Sequence, residues 1–291
     1  MRPTILGTVL LTLTSAATLP AQVTFKHTGY EFRDALTDVL HIWTSPFHAS
    51  RQDWLGALAV AAGAAVLVPI DDQIDSWIVR HPSAAVVQMT DLWNEKHPEF
   101  GDLSTGKRLL PISGALIVGG MLTDRRKLRE AGWGCLSAWQ ASSTLRTLLY
   151  ETVSRERPAT ANGDQYDVTA PGGEWDQHSF IGGHAANAVA CATFWNSRFE
   201  MGVLEPVLYA SALGISLSRM ADRRHWASDT WIGIATGYAM GRSIAARYAR
   251  RESGRDRKKA ERQPIPASLL DGLNIGPAPG GLSLTWSGQF R

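Results

Sequence analysis

Apolar positions along this chain recur mostly at three- and four-residue spacings, which predicts helices. From Phe32 to Trp43, the residues Leu36, Val39, Leu40 and Trp43 fall on one side of an amphipathic helix. Leu55 to Ile70 is apolar and rich in Ala and Gly. Asp71, Asp72 and Asp75 follow and lead into an amphipathic turn with Ile74, Trp77 and Ile78. Further helical stretches are expected at Leu109–Leu122, Trp133–Val153, Ala185–Trp195, Glu205–Arg219 and Asp229–Tyr248. Between Leu55 and Tyr248 no alternating strand pattern competes, and no internal repeat occurs. The tail differs. Pro277 and Pro279-Gly280-Gly281 make a turn, and Leu282, Leu284 and Trp286 alternate with polar residues, which predicts a short hairpin or strand. The pattern as a whole predicts an all-α helical bundle with a short β-like C-terminal tail.

The ends and the composition refine this picture. Arg2, the apolar run Ile5–Ala17 and Leu19-Pro20-Ala21 read as a signal peptide over 1–21, cleaved before Gln22. The working protein is then exported, periplasmic or associated with a cell-envelope membrane. An amphipathic segment (22–54), a helical domain (55–248) and a basic linker with a tail (249–291) follow. The 291 residues suit one sizeable domain plus tails. A net charge of +2 gives no reason to expect nucleic acid. Most apolar runs fall short of the ~20 residues that a membrane span needs. With a mean hydropathy of −0.12, this favours a soluble or peripherally attached bundle. The basic stretch Arg247–Arg262 reads as a solvated helix end and linker. Its sharper reading is contact with anionic headgroups, each cation contributing about 1 kcal/mol. Cys135 and Cys191 each lie in an apolar helical stretch and read as buried thiols, though export also permits a disulfide.

Candidate chemistry is concentrated in three places. The first is Ser218-Arg219, five residues, His225, three residues, Asp229. Arg219 stays charged at any pH and can fork onto a phosphate. On a helix His225 and Asp229 would share one face, so that the carboxylate orients the imidazole. The second is Gly182-Gly183-His184, which opens a helical stretch. Amides at a helix start favour an anion, small residues permit close approach, and His184 is a candidate general acid. The third is Arg157-Pro158, where proline should end the preceding helix and leave Arg157 at its tip.

In order, these blocks resemble the type 2 phosphatidic acid phosphatase family, which includes bacterial acid phosphatases and vanadium haloperoxidases. Its pattern is Lys-x6-Arg-Pro, Pro-Ser-Gly-His and Ser-Arg-x5-His-x3-Asp, and the resemblance runs from about Leu55 to Tyr248. It implies that His225 is a nucleophile forming a phosphohistidine, that Asp229 orients it, and that His184 protonates the leaving alkoxide and then activates water. It further implies that Arg157 and Arg219, with Gly182 and Gly183, bind the phosphate, and that no metal or other cofactor is needed. The chain agrees in lacking a His/Cys/Asp/Glu cluster with metal-ligand spacing.

The departures are as informative. Tyr150 stands where the family has Lys, and Ile181-Gly182 replaces Pro-Ser. Losing a charged hydrogen bond costs roughly 1.5–3 kcal/mol and a neutral one about half that, enough to weaken the grip on phosphate by orders of magnitude unless replaced. Arg146, one helical turn before Tyr150, is a candidate substitute, as is the Tyr150 hydroxyl. The expected function is hydrolysis of a phosphomonoester or lipid pyrophosphate, with a phosphorylated lipid or a small envelope phosphoester as substrate. Two alternatives stand beside it: a weak or inactive protein that binds phosphorylated ligands, and a vanadate-dependent haloperoxidase.

Overall fold

A computed structural model describes residues 26–93, 102–169 and 174–254, together with two strands at 273–278 and 281–286. The expected signal peptide at 1–21 and the basic residues Arg255–Arg262 lie outside the described residues. The helices are α1 (Lys26–Thr44), α2 (Arg51–Leu67), α3 (Asp71–Arg80), the short α4 (Ala85–Gln88), α5 (Gly106–Leu122), α6 (Arg126–Val153), α7 (Gly183–Arg198), α8 (Leu204–Ala221) and α9 (Ala227–Glu252). The tail forms an antiparallel hairpin of β1 (Leu273–Ala278) and β2 (Gly281–Trp286), with Ala278 opposite Gly281. The all-α bundle and its β tail therefore agree with the periodicity.

The centre is a close pairing of α7 with α9, flanked by α6 and α8. Gly233, Gly237 and Gly241 come every fourth residue, so they line one face of α9. A Cβ at these positions would sit 2.5, 2.3 and 2.4 Å from the carbonyl oxygens of Gly182, Ala186 and Ala190. Only glycine lets the backbones approach this closely, so the start of α7 is held against the start of α9. The surrounding core is small and aromatic: Ala138, Ala190, Phe194, Ile244, Ala245 and Tyr248. On α6, Gly134 faces the Phe194 ring, where a Cβ would fall 1.9 Å from its nearest carbon.

Cys135 of α6 and Cys191 of α7 form a disulfide across a Cα separation of 4.7 Å. This replaces the expectation of two separate buried thiols. The two cysteines pack with Leu109, and their neighbours Gly134 and Ala190 are themselves in the close helix contacts.

On α1, Asp38 is fully buried and hydrogen-bonds to Arg247 and Arg251 of α9. A buried carboxylate needs such partners. These two arginines therefore pair within the bundle, which departs from the solvated helix end expected over Arg247–Arg262. At α2, Ser50 and Asp53 cap the helix reciprocally: the Asp53 N–H donates to Ser50 Oγ at 3.2 Å and the Ser50 N–H to Asp53 Oδ2 at 2.8 Å. A 3-10 turn at Val68–Ile70 then joins α2 to α3. The resulting 30-residue run, Arg51–Arg80, is long and apolar enough to cross a membrane, and none of its apolar window is buried. The apolar stretch counted alone falls short of a span because it leaves out this joined turn.

Candidate active site

α6 stops at Val153 because Ser154 adopts a left-handed conformation, φ 46°. The helix thus ends before Pro158 can act on it, and Arg157 lies beyond the helix tip instead of on it. From Ser154 the chain runs extended, with Arg155 bridging to Val168 and the Arg157 N–H donating to the Asp176 carbonyl at 3.0 Å. Both arginines are buried. Across the site, α8 ends with Ser218 and Arg219 buried. Ser218 Oγ lies within hydrogen-bond reach of the Ile215 and Trp93 carbonyls, so it ties α8 to the turn at Trp93. Arg219's carbonyl accepts the N–H groups of Arg224 (2.8 Å) and His225 (3.3 Å), which turns the chain back toward α9.

His225 sits before α9, in the turn ahead of Trp226, so it shares no helical face with Asp229. The four-residue spacing does not operate because the helix starts only at Ala227. Asp229 Oδ2 instead accepts the Trp226 N–H at 3.1 Å, as an acid in the first turn commonly does. The imidazole is held by another group: His225 Nδ1 lies 2.7 Å from the Ser179 carbonyl. A carbonyl only accepts, so Nδ1 carries the proton and Nε2 keeps its lone pair. Asp229 reaches this arrangement indirectly, because Ser179 Oγ donates to Asp229 Oδ2 at 2.6 Å.

The electrostatics favour neutral imidazoles. Burial, reinforced by the Arg157 charge, lowers the His225 pKa to about 3, against the smaller upward effect of the Ser179 carbonyl. His184, the second residue of α7, is also held well below the ordinary histidine range. Burial is the main cause, followed by Arg219, His225, Arg146 and Arg157. Arg146, Arg157 and Arg219 thus all bear on the same two rings. Burial raises the Tyr150 pKa, so its hydroxyl stays protonated beside the opposing charges of Arg146 and Arg157.

Arg146, one helical turn before Tyr150, lies over the Tyr150 ring. Its guanidinium lies 5.6 Å from the Tyr150 ring centre, and its Nε is buried without a hydrogen-bond partner. Its stem crosses Gly183, where a Cβ would fall 2.2 Å from Arg146 Cδ. Gly183 therefore makes room for Arg146, a packing reason for glycine that differs from the expected close approach of a ligand. The Tyr150 ring also stacks on His178, with centroids 4.8 Å apart. Gly182 differs from the expectation of an anion-binding amide, because its N–H donates to the Asp229 carbonyl at 3.0 Å. A Cβ at Gly182 would also meet the Asp229 carbonyl and Thr230 Cα at 3.1 Å, so the serine of the family pattern would be cramped here.

Arg155, Asp71 and Ser228 were not singled out from the sequence, nor was Ser179. Arg155 donates to Asp229 Oδ1 (2.7 Å), Ser228 Oγ (2.8 Å) and Asp71 Oδ2 (2.8 Å), and its guanidinium lies over the Trp226 ring. The available signal was a second arginine two residues before Arg157 and an acidic start to α3.

Residues 132–253, which run from α6 through α9, match the family model of the PAP2 superfamily. Over 68 residues the chain is 38% identical to the lipid A 1-phosphatase of Porphyromonas gingivalis (strain ATCC 33277), a match covering 22% of this chain and 15% of that protein. No solved structure matches the chain.

Proposed function

From the premise that residues 132–253 are a PAP2 superfamily domain, we propose that the protein is a phosphatase that hydrolyses a phosphorylated lipid of the cell envelope through a phosphohistidine on His225. The observation that carries this reading is the convergence of three arginines on two neutral imidazoles, one of them fixed with Nε2 unprotonated. Arg146, Arg157 and Arg219 bind the phosphoryl oxygens and neutralise the charge spread over them in the transition state. Nε2 of His225 attacks phosphorus as the bond to the leaving oxygen breaks. His184 donates its proton to that oxygen. In the second step, His184 takes a proton from water as the water oxygen attacks phosphorus, the P–N bond breaks and His225 is restored. A bound phosphate dianion offsets the three cations, and this raises the His184 pKa so that it holds the proton the first step requires.

Lipid substrates are favoured by the surface. Trp54, Leu55, Leu58 and Val66 of α2, Leu110 and Val118 of α5, and Val207 and Leu217 of α8 are all exposed. Contiguous exposed apolar surface marks an interaction site, and a bilayer is the partner that fits an uncovered helix of this length. The lipid A 1-phosphatase relative points to the same substrate class. An envelope location also accords with the disulfide, which persists in oxidising compartments.

The test is rapid acid-free quenching of the purified protein with a 32P-labelled phosphatidic acid, beside His225→Ala. Label on the wild type, absent from the variant, is the expected result. Label retained on His225→Ala would overturn the nucleophile. Binding of the lipid with neither label nor released phosphate would leave a ligand-binding protein in place of an enzyme. Bromination that depends on added vanadate would indicate a haloperoxidase.

A further inference from the structure

Among the described residues, the His225 ring is held at Nδ1 by the Ser179 carbonyl. Ser179 is in turn held at two points: its N–H donates to the Arg155 carbonyl at 3.0 Å, and its Oγ donates to Asp229 Oδ2 at 2.6 Å. Asp229 is fully buried, and its described side-chain hydrogen bonds go to Ser179, Trp226 and Arg155, not to the imidazole. Arg155 continues to Asp71 of α3, which also accepts from Ser228 through its N–H (2.9 Å) and its hydroxyl (2.5 Å). Two carboxylates, one guanidinium and two hydroxyls thus form a connected buried set, tied to the backbone at the Gln165 carbonyl and the Trp226 N–H. The set ends at the ring nitrogen opposite the proposed nucleophilic one.

We propose that Ser179 is the positioning residue of His225: its hydroxyl transmits the placement of Asp229 to the carbonyl that orients the imidazole, while Asp71, through Arg155 and Ser228, fixes the far end of the set. The proposal rests on the nucleophile reading for its catalytic meaning, but its geometry stands without it. Asp229 acts here at one remove. A carboxylate touching the ring would hold the imidazole whether or not Ser179 had a hydroxyl. In this structure its side chain reaches the Ser179 carbonyl that orients the ring through that hydroxyl, and its other contact near His225 is with the backbone, the Trp226 N–H. Ser179→Ala and Asp229→Asn then break the same linkage, and breaking it twice has no further effect. Asp71 lies on the element that continues directly from α2, so the set also joins the reaction centre to the helix proposed to contact the bilayer.

The experiment uses the full chain with 15N-labelled histidine, His225→Gln assigning the resonance, and needs no turnover. The wild type is expected to show His225 protonated at Nδ1 with slow proton exchange. In Ser179→Ala and in Asp229→Asn that proton should exchange roughly tenfold faster, and no faster in the double variant, the non-additivity expected of residues acting as one unit. Circular dichroism and melting temperature establish that each variant is folded. With p-nitrophenyl phosphate as probe, Ser179→Ala and Asp71→Asn should each lower kcat about tenfold with KM within about twofold, as misplacement of a reacting group does. Ser179→Thr, which keeps the hydroxyl, should restore most of the loss. The proposal is overturned if Ser179→Ala leaves exchange and kcat at wild-type values, or if the double variant shows the product of the two single effects. A wild type that takes no phosphoryl label yet shows the Ser179–Asp229 coupling in its spectra would remove the nucleophile and keep the positioning.

Discussion

At the residue scale, the site is built from charges that are costly to bury and therefore informative. His225 titrates near 3 in the folded chain and near 6.5 unfolded. Between these values the unfolded chain binds the extra proton, so His225 favours folding fully above pH 6.5 and progressively less as pH falls toward 3. Between pH 7 and pH 5 this removes about 2 kcal/mol. Asp229, whose pKa is raised by burial, acts in the opposite direction. The informative measurement is therefore the difference between wild type and His225→Gln in urea titrations across that range, and equal slopes would contradict the shift. Arg146 gives a second prediction. If it takes the place of the family lysine, Arg146→Ala should weaken inhibition by orthovanadate or phosphate roughly 10- to 100-fold, and an unchanged inhibition constant would exclude it from the anion site. That His184, His225, Arg157 and Arg219 come together was legible from their order and spacing in the chain. Arg155, Ser179 and Asp71 were not: the carboxylates and hydroxyls they meet in the buried set lie 50 to 157 residues away in sequence, and a buried ion pair leaves no local periodicity. The contact expected between His225 and Asp229 failed for a local reason, the start of α9 at Ala227.

At the element scale, helix existence was readable from apolar spacing, whereas the closeness of the helices was not. It depends on three glycines of α9 meeting carbonyls of α7. Gly237→Ala places a methyl group 2.3 Å from the Ala186 carbonyl oxygen, a backbone atom that yields only if the helices part. A loss of about 1–3 kcal/mol is expected, with a fall in kcat because His184 and Asp229 ride on the two parted ends. Gly119→Ala on α5, where a Cβ meets nothing within 4 Å, is the control and should be neutral or slightly stabilising. Calorimetry of the two variants decides between a packing role and mere small-residue composition. Helix ends were the least legible feature: α6 stops on the left-handed Ser154, a non-glycine in a conformation that its sequence does not advertise.

At the scale of the whole molecule, the proposed reaction centre is buried, while α2 carries exposed apolar side chains at Trp54, Leu55, Leu58 and Val66. Leu58→Asp with Val66→Asp should move the protein from the floating to the sedimenting fraction in a flotation assay with phosphatidylglycerol vesicles, while leaving the melting temperature within the range of surface changes. Continued flotation would direct attention to the apolar faces of α5 and α8. The disulfide has a consequence of its own at this scale. Cys135 and Cys191 bracket Arg146, Tyr150, Arg157, Ser179 and His184, so most of the site lies inside one covalent ring. The exposed stretch around Tyr166 is part of that ring. A protease that cuts there opens the ring without dividing the molecule, and its two pieces travel together until a reductant reaches the bond between α6 and α7.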